Sequence, residues 1–150
     1  STLAGGSIET FFKSGVDASD PVKSGLEAFS SSLLDAVPGR PRRMNRHVAR
    51  PSSGSACKRL NMYLRWMVRS GPVDLGLWTC VDPSHLMLPL DVHSGTQARH
   101  INLLSRKAND WRSVEELTLA CRSMDPIDPC RYDFAFFGTG SAGETLGRPD

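Results

Sequence analysis

The sequence predicts an all-α domain, on three observations. Apolar residues recur at three- and four-residue spacing in stretch after stretch. Helix-start signals precede these stretches: Asp20-Pro21, Asp91, Asn109-Asp110 and Asp128-Pro129. No run alternates apolar and polar residues for long enough to make a strand.

The elements follow in order. Ser7 to Lys13 reads as a first helix with Ile8, Phe11 and Phe12 on one side. Asp20 is the expected N-cap of a second, in which Val22, Leu26, Phe29, Leu33 and Leu34 recur until Pro38-Gly39 stops the run. A third spans Ala56 to Arg69, with Ser55 as N-cap and Gly71 as stop. Its expected apolar stripe is Leu60, Tyr63, Leu64 and Met67, with Lys58, Arg59, Arg65 and Arg69 as its charged members. The next segment is a connector with one helical turn near Leu75 to Trp78. Val92 to Leu104 is a helix capped by Asp91. "NDWRSVEELTLACRSM" is another, with Trp111, Val114, Leu117 and Cys121 inward, and "CRYDFAFFG" is the last. Residues 1–138 form one domain, and 139–150 read as a flexible Gly-rich tail.

Composition narrows the class. The chain has 150 residues, 39% apolar and 23% charged, so it can bury a real core. No apolar run approaches the ~18 residues of a membrane span, and no signal peptide is visible. The four cysteines, Cys57, Cys80, Cys121 and Cys130, fit neither a zinc pattern nor a disulfide framework. They read as free thiols in a reducing cytoplasm. Net charge is only +2, yet Gly39 to Pro51 holds five arginines, one histidine and no acid. That block, with Arg42, Arg43 and Arg46 at its centre, can neutralise phosphates. It reads equally as a solvated, disordered loop.

Two residues stand out for chemistry. Lys58 lies in the first turn of its helix, an unusual place for a cation because the helix dipole is positive there. A lysine amine can attack an aldehydic carbon and form a Schiff base. Asp91 is explained as a cap, but a partly desolvated carboxylate can also stabilise a sugar cation. The third helix is about 20 Å long, and the twenty-odd residues after it, at about 3.3 Å each, can return the chain to its start. Geometry therefore permits Lys58 and Asp91 to meet.

A glycine-containing turn, a helix-starting lysine and an apolar-Pro-x-Asp-x-His entry into another helix resemble the helix–hairpin–helix DNA glycosylase superfamily. "LDVH" at Leu90 to His93 is similar to the aspartate motif of its 8-oxoguanine branch. "SSGSACK" keeps Gly54 four residues before Lys58, but has Ala56 where the superfamily hairpin has a second glycine. More closely, "GSACKRLNMYLRWMVR", "LPLDVHSGTQAR", "NDWRSVEELT" and "RYDFAFFG" resemble an uncharacterised bacterial domain-of-unknown-function family remotely allied to these glycosylases. Members of that family are longer at the amino end, so the resemblance implies a partial member with an incomplete glycosylase-like helical bundle.

The resemblance implies a DNA-repair-type base-excision glycosylase and abasic-site lyase. Its catalytic residues would be Lys58 as nucleophile and Asp91 as stabiliser. Gly54, Ser55, His93, Arg99, Arg42, Arg43 and Arg46 would contact DNA. The substrate would be duplex DNA with a damaged base, an oxidised purine for the 8-oxoguanine branch. The protein would act as a monomer with no cofactor, metal cluster or membrane. The alternative is a DNA-binding module of the same fold without catalysis; a third reading is a helical interaction domain whose arginine loop meets an acidic protein. Trp66 and Trp78 can stack on a base or pack in the core. Arg131 and Asp133 read as structural.

Overall fold

The computed structural model describes residues 6–147. Among them the chain forms six α-helices and no strand: α1 (Ile8–Lys13), α2 (Pro21–Asp35), α3 (Lys58–Val68), α4 (Val92–His100), α5 (Trp111–Met124) and α6 (Asp133–Ser141). Short 3-10 turns join them. No helix among the described residues is long and apolar enough to cross a membrane.

The first two helices pack through a close crossing. Ser7 caps α1 by accepting the Thr10 N–H at 3.1 Å, and Pro21 supplies the fixed first turn of α2. Asp20 precedes α2 as expected but makes no side-chain cap. Phe12 then lies across Gly25, where a methyl group would stand 2.4 Å from its Cζ. Only a residue without Cβ lets that ring reach the core beside Leu26 and Trp78.

Helix α3 begins later than the sequence suggests. Cys57 adopts a left-handed conformation at φ 48°, which a right-handed helix cannot include, so the helix opens at Lys58. Ser55 accepts the Cys57 N–H at 3.1 Å and is not the N-cap. The stripe is shifted too: Asn61, Leu64, Arg65 and Val68 are buried, while Leu60, Tyr63 and Met67 are partly so. The helical turn predicted near Leu75–Trp78 does not form. The Leu75 and Gly76 N–H groups donate to the Trp66 carbonyl, and the Trp78 N–H donates to that of Met67. The connector thus satisfies the last carbonyls of α3 instead of its own helix.

Leu86 to Leu90 cross the interior without helical structure, all five residues buried. Their backbone groups find partners outside regular structure: the Leu88 N–H donates to Thr118 Oγ1 at 3.0 Å, and the Pro89 carbonyl accepts from Ser94 Oγ at 3.3 Å. This strut places Asp91 at the start of α4. That helix stops at His100, short of Leu104, where left-handed Asn102 turns the chain and Leu103 donates back to the Ala98 carbonyl. Asp110 caps α5 through the Ser113 N–H.

The predicted carboxyl-terminal tail is structured over much of its length. Helix α6 continues past Gly138 to Ser141. Gln97 then clamps the following residues with two 2.8 Å bonds, donating to the Glu144 carbonyl and accepting the Leu146 N–H. Residues 148–150 of that tail, like 1–5 at the other end of the predicted domain, lie outside the described residues.

Candidate active site

The start of α3 and the start of α4 meet. Lys58 Nζ stands 3.1 Å from Asp91 Oδ2, with the lysine side chain 37% exposed and the aspartate 16%. The two oxygens of Asp91 divide their work. Oδ1 accepts the Ser94 N–H at 2.9 Å, and Ser94 Oγ in turn accepts the Asp91 N–H at 2.9 Å, a reciprocal capping box. Oδ2 is left for Lys58. Burial alone would raise the Asp91 carboxyl, but the Ser94 N–H, the Lys58 ammonium and the Ser94 hydroxyl outweigh it and lower its pKa. The result is a stable anion beside a solvent-reachable amine.

The residue just before Lys58 is no rival nucleophile. Burial pushes the Cys57 thiol up to about 11, so it carries almost no thiolate near neutral pH. All four cysteines are free thiols.

A buried ion network stands behind the pair. Arg65 bonds Asp133 through Nη1 and lies 3.4 Å from Asp74 through Nε. Arg69 holds Asp74 at 3.1 Å and Asp128 at 2.8 Å. Both guanidinium groups lie over the Phe134 ring, at 4.6 and 5.2 Å from its centre. Asp74 is wholly buried, and Asp133 nearly so. Burial pushes the Asp133 carboxyl up to about 6, with Arg65 opposing the rise and the Asp91 charge adding to it.

The other predicted contacts fall in different places. Gly54, at φ 79°, makes the left-handed turn that leads into α3, and its carbonyl accepts the Trp111 N–H at 3.1 Å. Helix α3 has no side-chain cap on its first turn. His93 is exposed on α4, edge-on to Phe137 of α6 at 6.4 Å. Arg42, Arg43 and Arg46 sit exposed on a 3-10 turn, Arg42–Arg46, so the basic segment carries local structure. The Ser30 hydroxyl, donating to the Ala49 carbonyl at 2.8 Å, ties the end of this segment to α2. Arg99 is engaged within the chain. Its guanidinium donates to the carbonyls of Arg106 and Ala108 and to Asn109 Oδ1, holding the loop before α5. The tryptophans part company: Trp78 is core, packed on Phe12 and Tyr63, whereas Trp66 is exposed.

The sequence reading takes Asp133 as structural and Arg65 and Arg69 as charged helix members; what it misses is that Asp74 joins them in one ion network. The available signal was the spacing of Lys58, Arg65 and Arg69, which puts all three cations near one face of α3. The family described as "protein of unknown function (DUF2400)" matches residues 2–142, so the chain belongs to that family. No curated protein and no solved structure matches it.

Proposed function

We propose that this DUF2400 chain is a DNA glycosylase-like protein with abasic-site lyase chemistry, using Lys58 as the nucleophile and Asp91 as the countercharge. The single observation that carries the proposal is the 3.1 Å approach of the Lys58 amine to the Asp91 carboxylate, each delivered by a different helix start. The lysine is solvent-reachable, the aspartate is held ionised, and the thiol next door is kept inert. In the proposed reaction Lys58, as the free amine, attacks the sugar C1′ while the bond to the base breaks. The base leaves with the bonding electron pair and takes up a proton. Asp91 offsets the positive charge that grows on the sugar during that step. Loss of the amine proton and ring opening give an imine, which permits strand cleavage. The uncapped first turn of α3 and the exposed arginines 42, 43 and 46 would hold phosphates. His93 and Phe137, exposed and edge-on to each other, offer a surface for an unstacked nucleotide.

The test is covalent trapping. The full-length protein is incubated with duplexes carrying an oxidised purine or an abasic site, and borohydride is added to reduce any imine to a stable amine. A trapped complex that disappears in Lys58→Ala while DNA binding persists supports the proposal. Salt-sensitive binding with no adduct on any substrate points to the alternative, a non-catalytic DNA-binding module. That alternative draws on one observation: the capping box and the ion pair already employ both oxygens of Asp91 in the fold.

A further inference from the structure

We propose that Asp133 is a positioning residue for the Lys58–Asp91 pair, a third charge whose gain or loss of a proton sets how firmly the Lys58 ammonium is held. The inference rests on reading Lys58–Asp91 as the working pair and adds a group that no motif marks. Lys58 and Arg65 are seven residues apart on α3, two helical turns, and share a face. Their ion pairs therefore lie about 10 Å apart along the axis, one above the other. The upper pair is Lys58 with Asp91, partly exposed. The lower pair is Arg65 with Asp133, in the interior.

Every element around Asp133 adds a titratable or charged group. Helix α3 gives Arg65 and Lys58, the cap of α4 gives Asp91, and α5 gives Cys121. The turn before α6 gives Cys130, with Asp128 acting on that thiol. Burial pushes both thiols up, so they stay neutral and only shape the dielectric. The balance is then struck by two cations, Arg65 and Lys58, and by Asp91, Asp133 and Asp74, the last sharing Arg65 with Asp133. The fold drives the acids apart: Asp91 is lowered, and Asp133 is raised to about 6. Two carboxylates pushed in opposite directions by their surroundings are the arrangement by which proteins assign separate roles to like side chains. When Asp133 is protonated, Lys58 is held by Asp91 alone. When it ionises, a second anion strengthens the hold on the ammonium.

Two measurements test this without DNA, so they stand apart from the trapping assay. In the first, carboxyl carbon-13 NMR follows Asp133 across pH in the wild type, Asp91→Asn and Lys58→Met. At about 10 Å and an effective dielectric near 20, each variant should move the Asp133 midpoint by roughly 1 pH unit. The shift is downward for Asp91→Asn, which removes an anion, and upward for Lys58→Met, which removes a cation. In the second, reductive methylation of Lys58 by formaldehyde and cyanoborohydride is timed at pH 8 and read by peptide mass. Asp133→Asn should speed it roughly threefold or more, and Asp133→Glu should restore the wild-type rate. An Asp133 midpoint indifferent to both Asp91→Asn and Lys58→Met overturns the proposal, even if Asp133→Asn does not fold. So does an unchanged methylation rate in a folded Asp133→Asn protein.

Discussion

Replacing Arg65 with methionine should expose the energetics of the interior network. The guanidinium bonds Asp133, stands 3.4 Å from Asp74 and lies over Phe134. Removing it leaves Arg69, at 3.1 Å, to hold Asp74 alone, and leaves Asp133 without its cation. Stranding one partner of a buried pair costs about 3–5 kcal/mol. The pH dependence fixes the cause. Asp133 already has a raised pKa, about 6 against 3.8, so the native state binds the proton more tightly than the unfolded chain. Stability from this group is thus highest below pH 4 and is lost as pH rises through 6. Without Arg65 the carboxyl midpoint rises further, and the variant relieves its stranded charge by protonation. Urea unfolding at pH 7.5 and pH 5 measures both parts. The penalty should be about 4 kcal/mol at pH 7.5 and shrink to about 1–2 kcal/mol at pH 5, where both proteins carry neutral Asp133 and only lost contacts remain. A penalty below about 1 kcal/mol at pH 7.5, or one equal at the two pH values, refutes the reasoning.

Three further outcomes follow from single contacts. Asp91→Ala removes the capping box and should cost about 1–2 kcal/mol in thermal unfolding, whereas Asp91→Asn keeps an acceptor for the Ser94 N–H and should cost less than half of that. Because Asp91 is lowered, its stabilisation is present above pH 3.8 and lost as pH falls below that value, opposite in sign to Asp133; wild-type and Asp91→Asn melting curves should converge in acid. Gly25→Ala places a methyl group 2.4 Å from the Phe12 ring and should lower stability by about 1–3 kcal/mol, read by urea denaturation. Thr118→Val leaves the buried Leu88 N–H without its acceptor and should cost about 1–3 kcal/mol; amide exchange at Leu88 should rise with it.

The helices were legible from their apolar spacing, and Asp91 and Asp110 cap their helices as their residue types suggest. The meeting of Lys58 with Asp91 was legible as a permitted geometry, since both positions are helix starts joined by a chain long enough to return. Other features leave no local trace. Cys57 is not a residue type prone to φ 48°, so the late start of α3 had no signal. Arg65 looks like any charged helix member, because its partner Asp133 is 68 residues away. Arg99 shows why a basic residue near a motif is ambiguous: a guanidinium suits backbone carbonyls as well as phosphates, and here the carbonyls of the following loop take it. The connector at 70–78 was misjudged for a related reason. Its short apolar run suggested a helical turn, but the open carbonyls of α3 claimed its N–H groups.

The buried network raises a question of purpose that stability alone does not answer. Replacing a buried ion pair with apolar residues of similar volume is often neutral or stabilising. Arg65 and Asp133 could therefore be exchanged together for methionine and leucine, leaving Arg69 to hold Asp74 and Asp128. That double variant should lie within about 1–2 kcal/mol of the wild type, far from the single Arg65→Met, because no charge is stranded. If it folds as well as the wild type, holding the fold is not what the pair is needed for. The change should then appear at the Lys58–Asp91 pair. Lys58 loses the interior anion and the interior cation together, so its methylation rate should no longer respond to the ionisation that sets in near pH 6 in the wild type. A stable double variant whose Lys58 keeps the wild-type pH response would separate the network from the Lys58–Asp91 pair and leave the two as neighbours without coupling.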